Sequence, residues 1–260
     1  MTLTEARPTT VRPALISAVV AVVALVGFAL HTSRGQRWDE RAMSTVVAGR
    51  DARLQVLSVL GYVSIGAIGV VVLVCLLLAL ARGRLDLAIG AVVLVAGANL
   101  TTQALKLGFI ERPALGFGTH NSLPSGHTAV VASATAALLL VSPVVLRPVF
   151  VAAGAFATMV TGASTVIAGW HRPSDIAAAL LVTLVWSAGV AAVLGGARRS
   201  VPVVVPALVG AAAALVFLGL VGVRPLFGWD GSVRAGLVLG GIALATAAFT
   251  SLASRLAPAD

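Results

Sequence analysis

Cysteine and charge are what this chain has least of. Its one cysteine, Cys75, stands inside an apolar run with no partner, so neither a disulfide framework nor a cysteine metal centre can form. Charged residues make up 10% of the 260 positions against 59% hydrophobic, and the mean hydropathy of +1.04 excludes an ordinary soluble domain. No stripe interleaves aromatic with basic side chains, which leaves the formal charge of +9 without a DNA- or RNA-binding face. In a bilayer protein such an excess faces anionic lipid headgroups instead. Internal repeats, low-complexity tracts and soluble domains are equally lacking. Lysine is reduced to one residue, Lys106, against 17 arginines, so it stands apart from any solvated crowd.

What the chain does have is long apolar runs. They lie at about 13–30, 57–81, 87–106, 128–146, 149–169, 175–195, 202–222 and 235–253, each near the roughly 20 residues a helix needs to cross a bilayer. The expected fold is an all-α integral membrane protein with about eight transmembrane helices. The first run has a signal peptide as its rival reading, but it exceeds the usual apolar core of one, and His31-Thr32-Ser33-Arg34 is a poor cleavage site. Between the first two runs, residues 31–53 mix Arg34, Arg37, Asp39, Glu40, Arg41, Arg50, Asp51 and Arg53 with Trp38 and Met43. That block is expected to be an amphipathic interfacial arm. Eight helices put both termini on one side, and the 107–127 loop together with the His171–Asp175 turn on the other. Counts of arginine alone do not favour a cytoplasmic N-terminus; setting aside the site cations and the partly neutralised arm tips the balance that way. Trp38, Trp170 and Trp229 then fall near the outer interface as an aromatic belt.

The polar residues that interrupt this pattern gather at three places. Leu123-Pro124-Ser125-Gly126-His127 precedes an apolar run, which puts free backbone N–H groups at a helix start, a ready anion site. Gly126 lets a ligand approach the backbone, and His127 can gain or lose a proton near neutral pH. The plainer alternative makes Ser125 a helix cap and His127 a polar surface residue. Lys106 and Arg112 add two cations close to that start; the alternative there is snorkelling to headgroups. His171 and Asp175 stand four residues apart, so on one helix face the carboxylate holds one imidazole nitrogen and leaves the other free to attack. Otherwise Asp175 simply favours the helix dipole, with Ser174 as cap.

Lys106-x5-Arg112-Pro113, Pro124-Ser125-Gly126-His127 and Ser164-Thr165-x5-His171-x3-Asp175 resemble the three-part signature of the type 2 phosphatidic acid phosphatase family, K-x6-R-P, P-S-G-H and S-R-x5-H-x3-D. The resemblance covers about residues 57–195. It implies a six-helix phosphatase-like core within the eight, with the three motifs carried by residues 57–195, a first helix and interfacial arm at 1–56 and two additional helices at 196–260. It further implies that His171 attacks phosphorus to give a phosphohistidine, that Asp175 orients it, and that His127 protonates the leaving oxygen. Lys106, Arg112, Ser125, Gly126 and Thr165 would hold the phosphoryl oxygens, with no metal and no cofactor. Two departures stand out. The first motif is one residue short, and Thr165 occupies the place of the family arginine, with Arg172 or His120 as substitutes.

The expected activity is hydrolysis of a lipid phosphate monoester or diphosphate, of the phosphatidate or prenyl phosphate type. The active site is expected on the extracytoplasmic side of a multi-pass plasma-membrane protein whose partners are the lipid substrate and the bilayer. Thr165 motivates the alternative of an impaired relative that binds lipid phosphates or proteins. A transporter is disfavoured because the ionisable groups sit at one face, and a haloperoxidase because the chain is so apolar.

Overall fold

In a computed structural model, which describes residues 11–63, 65–117, 120–195, 202–226 and 228–258, the chain is almost wholly helical. Among the described residues the helices are α1 (Val11–His31), α2 (Ser33–Met43), α3 (Arg50–Tyr62), α4 (Ile65–Ala81), α5 (Leu85–Ala104), α6 (Gly126–Val141), α7 (Arg147–Ile167), α8 (Pro173–Val193), α9 (Val204–Val221) and α10 (Gly228–Leu256). Two short strands, β1 (Val46–Ala48) and β2 (Val223–Pro225), accompany them. Helix is what apolar runs must form in lipid, where every backbone N–H and C=O has to be paired within its own segment.

Each of the eight apolar runs is helical, but not each is a full-length span. Among the described residues six helices are long and apolar enough to cross a membrane, or seven if the bent pair α3 and α4 counts as one. The 57–81 run breaks after Tyr62, and its helix starts earlier than expected, at Arg50. The 128–146 run yields the 16-residue α6, which stops at Ser142 before Pro143, a residue that cannot continue a helix. The polar start of the chain with Arg7, and Arg198 and Arg199 in the α8–α9 loop, lie outside the described residues.

Small residues let the helices approach. A Cβ on Gly97 of α5 would come within 2.5 Å of the Trp186 ring, which lies flat against that helix and donates from Nε1 to Thr101 Oγ1 at 3.0 Å. A Cβ on Gly210 of α9 would stand 2.1 Å from the carbonyl oxygen of Ala152 on α7. Packing of α5 on α6 and α8, α1 on α8, and α10 across α7, α8 and α9 closes the bundle. Val70, Leu73, Leu77 and Leu80 of α4 remain exposed, as a lipid-facing surface requires.

The two ends of the bundle differ. At one end Arg82 Nη1 donates to the Val141 carbonyl at 2.7 Å, and the buried Arg147 donates to the carbonyls of Ala257 and Pro258. The other end gathers the α1–α2, α5–α6 and α7–α8 connections. There β1 and β2 pair antiparallel, Val46 opposite Pro225 and Ala48 opposite Val223, which ties the chain after α2 to the α9–α10 turn. The block expected as one interfacial arm is therefore α2, β1 and the first turn of α3. The residues that α2 buries are Gly35, Gln36 and Asp39, two of them polar, so hydrogen bonds rather than apolar burial hold it down.

Candidate active site

The turn into α8 carries the reacting pair. After α7 ends, the amides of Trp170 and His171 both donate to the Thr165 carbonyl, at 3.0 and 3.2 Å, and Pro173 opens α8 with the fixed φ of a first helical position. His171 thus stands just ahead of the helix rather than on its face. It nevertheless meets Asp175, Nδ1 to Oδ2 at 3.1 Å, with both side chains buried.

Three donors converge on that one oxygen. Besides the imidazole, Asp175 Oδ2 accepts from Ser122 Oγ at 2.6 Å and from the Arg172 amide at 2.9 Å. An ionised carboxylate only accepts, so the proton of the neutral imidazole belongs on Nδ1 and Nε2 keeps its lone pair. The amide contact is also a helix cap, so Asp175 both caps α8 and holds His171.

The second motif is welded to the third. The Ser125 amide donates to the Asp175 carbonyl at 2.9 Å, which fixes the start of α6 beside the start of α8. Ser125 is fully buried and caps α6, its Oγ accepting from the Thr128 amide at 3.4 Å and the Thr128 hydroxyl at 3.0 Å. The capping alternative thus describes its side chain. A Cβ on Gly126 would stand 3.6 Å from the Gln103 amide nitrogen. His127 is half-buried with its ring 5.6 Å from that of Trp170.

The first motif closes the cluster from α5. A π-helical turn, Leu105–Phe109, follows α5 and carries the half-buried Lys106, widening the backbone where the motif is one residue short. Asn121 then ties the loop together, Nδ2 donating to the Ile110 carbonyl at 2.7 Å. Arg112 is buried, and burial first, then the neighbouring Arg172 charge, pushes its basicity down.

Thr165 does not replace the guanidinium of the family pattern. It is fully buried and its hydroxyl donates to the Gly162 carbonyl at 2.7 Å, so its visible contribution is the carbonyl that holds His171. His120 is exposed. Arg172 lies inside the cluster, its Nη1 donating to Ser122 Oγ at 3.1 Å and its Nε to Glu40 Oε2 at 2.9 Å.

Sequence reasoning allowed the 31–53 arm to cover the site but named none of the α2 residues that support it. Asp39 accepts from the Ser174 amide at 3.1 Å and from the Ser174 hydroxyl, at the first turn of α8. Burial, reinforced by the Asp175 charge and opposed by the Ser174 bonds, raises its carboxyl from 3.8 to about 6. Gln36 Nε2 donates to the carbonyls of Leu30, at 2.7 Å, and of Pro113, at 3.0 Å, fastening the loop of Arg112. Ser122, too, was passed over; its one signal was a polar side chain three residues before Ser125.

No curated protein and no solved structure matches the chain. A family model does, that of the PAP2 superfamily, over residues 87–199. That stretch runs from α5 through the end of α8 and contains every residue of the three motifs, while Gln36, Asp39 and Glu40 lie outside it. Residues 87–199, in which His171 and Asp175 pair at the start of α8, thus carry the match to the PAP2 superfamily.

Proposed function

We propose that this membrane protein is a lipid phosphatase that hydrolyses a phosphate monoester or diphosphate through a phosphohistidine on His171. The matched superfamily points to phosphatase chemistry on phosphate esters. The observation that carries the finer reading is the convergence of three donors on Asp175 Oδ2, which leaves His171 Nε2 as the nucleophile.

In the first step Nε2 attacks phosphorus, the bond from phosphorus to the leaving oxygen breaks, and His127 in its protonated form gives that oxygen a proton. In the second step water attacks the phosphohistidine, His127 takes the proton of the water, the P–N bond breaks, and inorganic phosphate leaves. Asp175 stabilises the imidazolium character that develops on His171. Lys106, Arg112 and the backbone N–H groups at Gly126 and His127 face the charge on the equatorial oxygens, the chief requirement of phosphoryl transfer. With these groups in the charge-neutralising role, turnover is expected to proceed in the presence of a chelator.

The substrate's phosphate meets this cluster at one end of the bundle, and its acyl or prenyl tail stays in lipid. We place that end at the extracytoplasmic surface of the plasma membrane, with the motif-bearing core at 57–195. The test is phosphate release by the detergent-purified protein from phosphatidate, lysophosphatidate and prenyl mono- and diphosphates, with His171→Ala as control. Release that persists in chelator and vanishes in the variant is expected. A second reading rests on Thr165: a relative that binds lipid phosphates without turnover. Silence of the wild-type protein on every lipid, combined with retained lipid-phosphate binding, would establish it.

A further inference from the structure

Glu40 and Arg172 are 132 residues apart in sequence and meet beside the catalytic pair. Both Nε and Nη2 of Arg172 lie 2.9 Å from Glu40 Oε2, and Nη1 donates to Ser122 Oγ at 3.1 Å. The Arg172 side chain is only 11% exposed, that of Glu40 38%. A guanidinium so enclosed needs acceptors, and it presents a planar fork of donors suited to a tetrahedral oxyanion. Its position is close to the chemistry. Through Ser122 it is one hydroxyl from the Asp175 oxygen that holds His171. Its charge also acts on the buried Arg112, where Asp39, Asp175 and Glu40 oppose it.

We propose that Arg172 is a phosphate-binding residue of this site, supplying from the start of α8 the guanidinium that position 165 lacks, with Glu40 competing for the same N–H groups. The proposal rests on the phosphatase reading and adds to it a residue at a variable position of the third motif. Thr165 leaves the role open, since its hydroxyl is engaged within α7. Glu40 holds one oxygen where a phosphoryl oxygen would lie, and it is the more exposed and therefore the more displaceable partner. An arriving phosphate exchanges one carboxylate contact for its own.

The competing explanation is that Arg172 and Glu40 are merely a tether that fastens α2 to α8. The two accounts part on a binding measurement. Orthovanadate, a phosphate-shaped anion, is titrated calorimetrically into the detergent-purified full chain and into Arg172→Ala, Arg172→Lys, Glu40→Gln and Arg112→Ala. If Arg172 binds phosphate, Arg172→Ala weakens orthovanadate binding about 10- to 100-fold, the loss of one charge-assisted contact. Arg172→Lys falls between it and wild type, and Glu40→Gln binds as tightly as wild type or more so. If the pair is only a tether, Arg172→Ala and Glu40→Gln weaken binding alike, and the proposal is overturned. It is overturned as well if Arg172→Ala binds like wild type while Arg112→Ala does not, a result that leaves the phosphatase reading standing. Wild-type protein that binds no orthovanadate would remove both. Should Arg172→Ala fail to fold, Arg172→Lys keeps the comparison, because it retains the charge and loses the fork.

Discussion

Ser122 Oγ bridges Asp175 and Arg172, donating to the carboxylate at 2.6 Å and accepting from the guanidinium at 3.1 Å. One hydroxyl therefore orients both the group that holds the histidine and the cation beside it. Ser122→Ala is expected to lower kcat/KM by about 10- to 100-fold, the scale of one hydrogen bond to a charged group. Ser122→Thr keeps the hydroxyl and should restore most of the activity. Steady-state kinetics on both variants decide the matter; equal losses would show that packing, not the bridge, is what position 122 provides.

Asp175→Asn tests the tautomer. An amide that turns its NH2 toward Nδ1 favours the proton on Nε2, where it blocks attack, and a comparable change in a serine protease costs about 10⁴-fold in kcat. A similar collapse of turnover with little change in KM is expected. Near wild-type turnover would mean that the carboxylate serves only as the cap of α8.

Asp39 makes stability depend on pH in an unusual direction. Its carboxyl titrates near 3.8 in the unfolded chain and at about 6 in the folded one. Between those values the folded state holds more protons, so stability falls as pH rises from 3.8 to about 6 and levels off above. The full loss is roughly 3 kcal/mol, at about 1.4 kcal/mol for each tenfold difference in proton affinity between the two states. Asp39→Asn keeps an acceptor for the Ser174 amide without the charge. Melting temperatures of the two proteins from pH 4 to 7 should diverge as pH rises, with the variant gaining. A constant offset across that range would sink the idea.

Gly210 and Gly219 form a matched pair on α9. A Cβ at Gly210 would stand 2.1 Å from the Ala152 carbonyl, a backbone atom that cannot step aside, whereas a Cβ at Gly219 meets nothing within 4 Å. Gly210→Ala should push α7 and α9 apart and lower the melting temperature by several degrees. Gly219→Ala should leave it unchanged or raise it, because alanine is the better helix former. Thermal unfolding in detergent reads both.

How much of this was legible follows from sequence separation. Lys106, Arg112, Ser125, His127, His171 and Asp175 are short-range signals, each tied by spacing to the end of an apolar run, and the structure brings them to one end of the bundle. The helix count was less legible. The break after Tyr62 and the early stop of α6 divide or shorten runs whose composition stays apolar. Least legible was α2. Its Asp39 meets Ser174 across 135 residues and its Gln36 meets Pro113 across 77, and no local pattern marks such partners. A mixed-charge block reads as an interfacial surface until the acceptors facing it are known. Arg172 lay between these cases: its nearness to His171 was plain, but its neighbours Glu40 and Ser122 were not.

The strand pair between β1 and β2 gives the arm a second fastening. α2 is bonded to α8 through Asp39 and Glu40, β1 joins β2 at the α9–α10 turn, and α10 in turn packs on α8. These links form a closed hoop around the end of the bundle that bears the histidines. A hoop yields as a unit: α2 cannot lift from α8 by giving up its own bonds alone while the ribbon still holds the next segment of chain. The last two helices, which lie outside the matched stretch, thereby share in the stiffness of a site to which they contribute no reacting group.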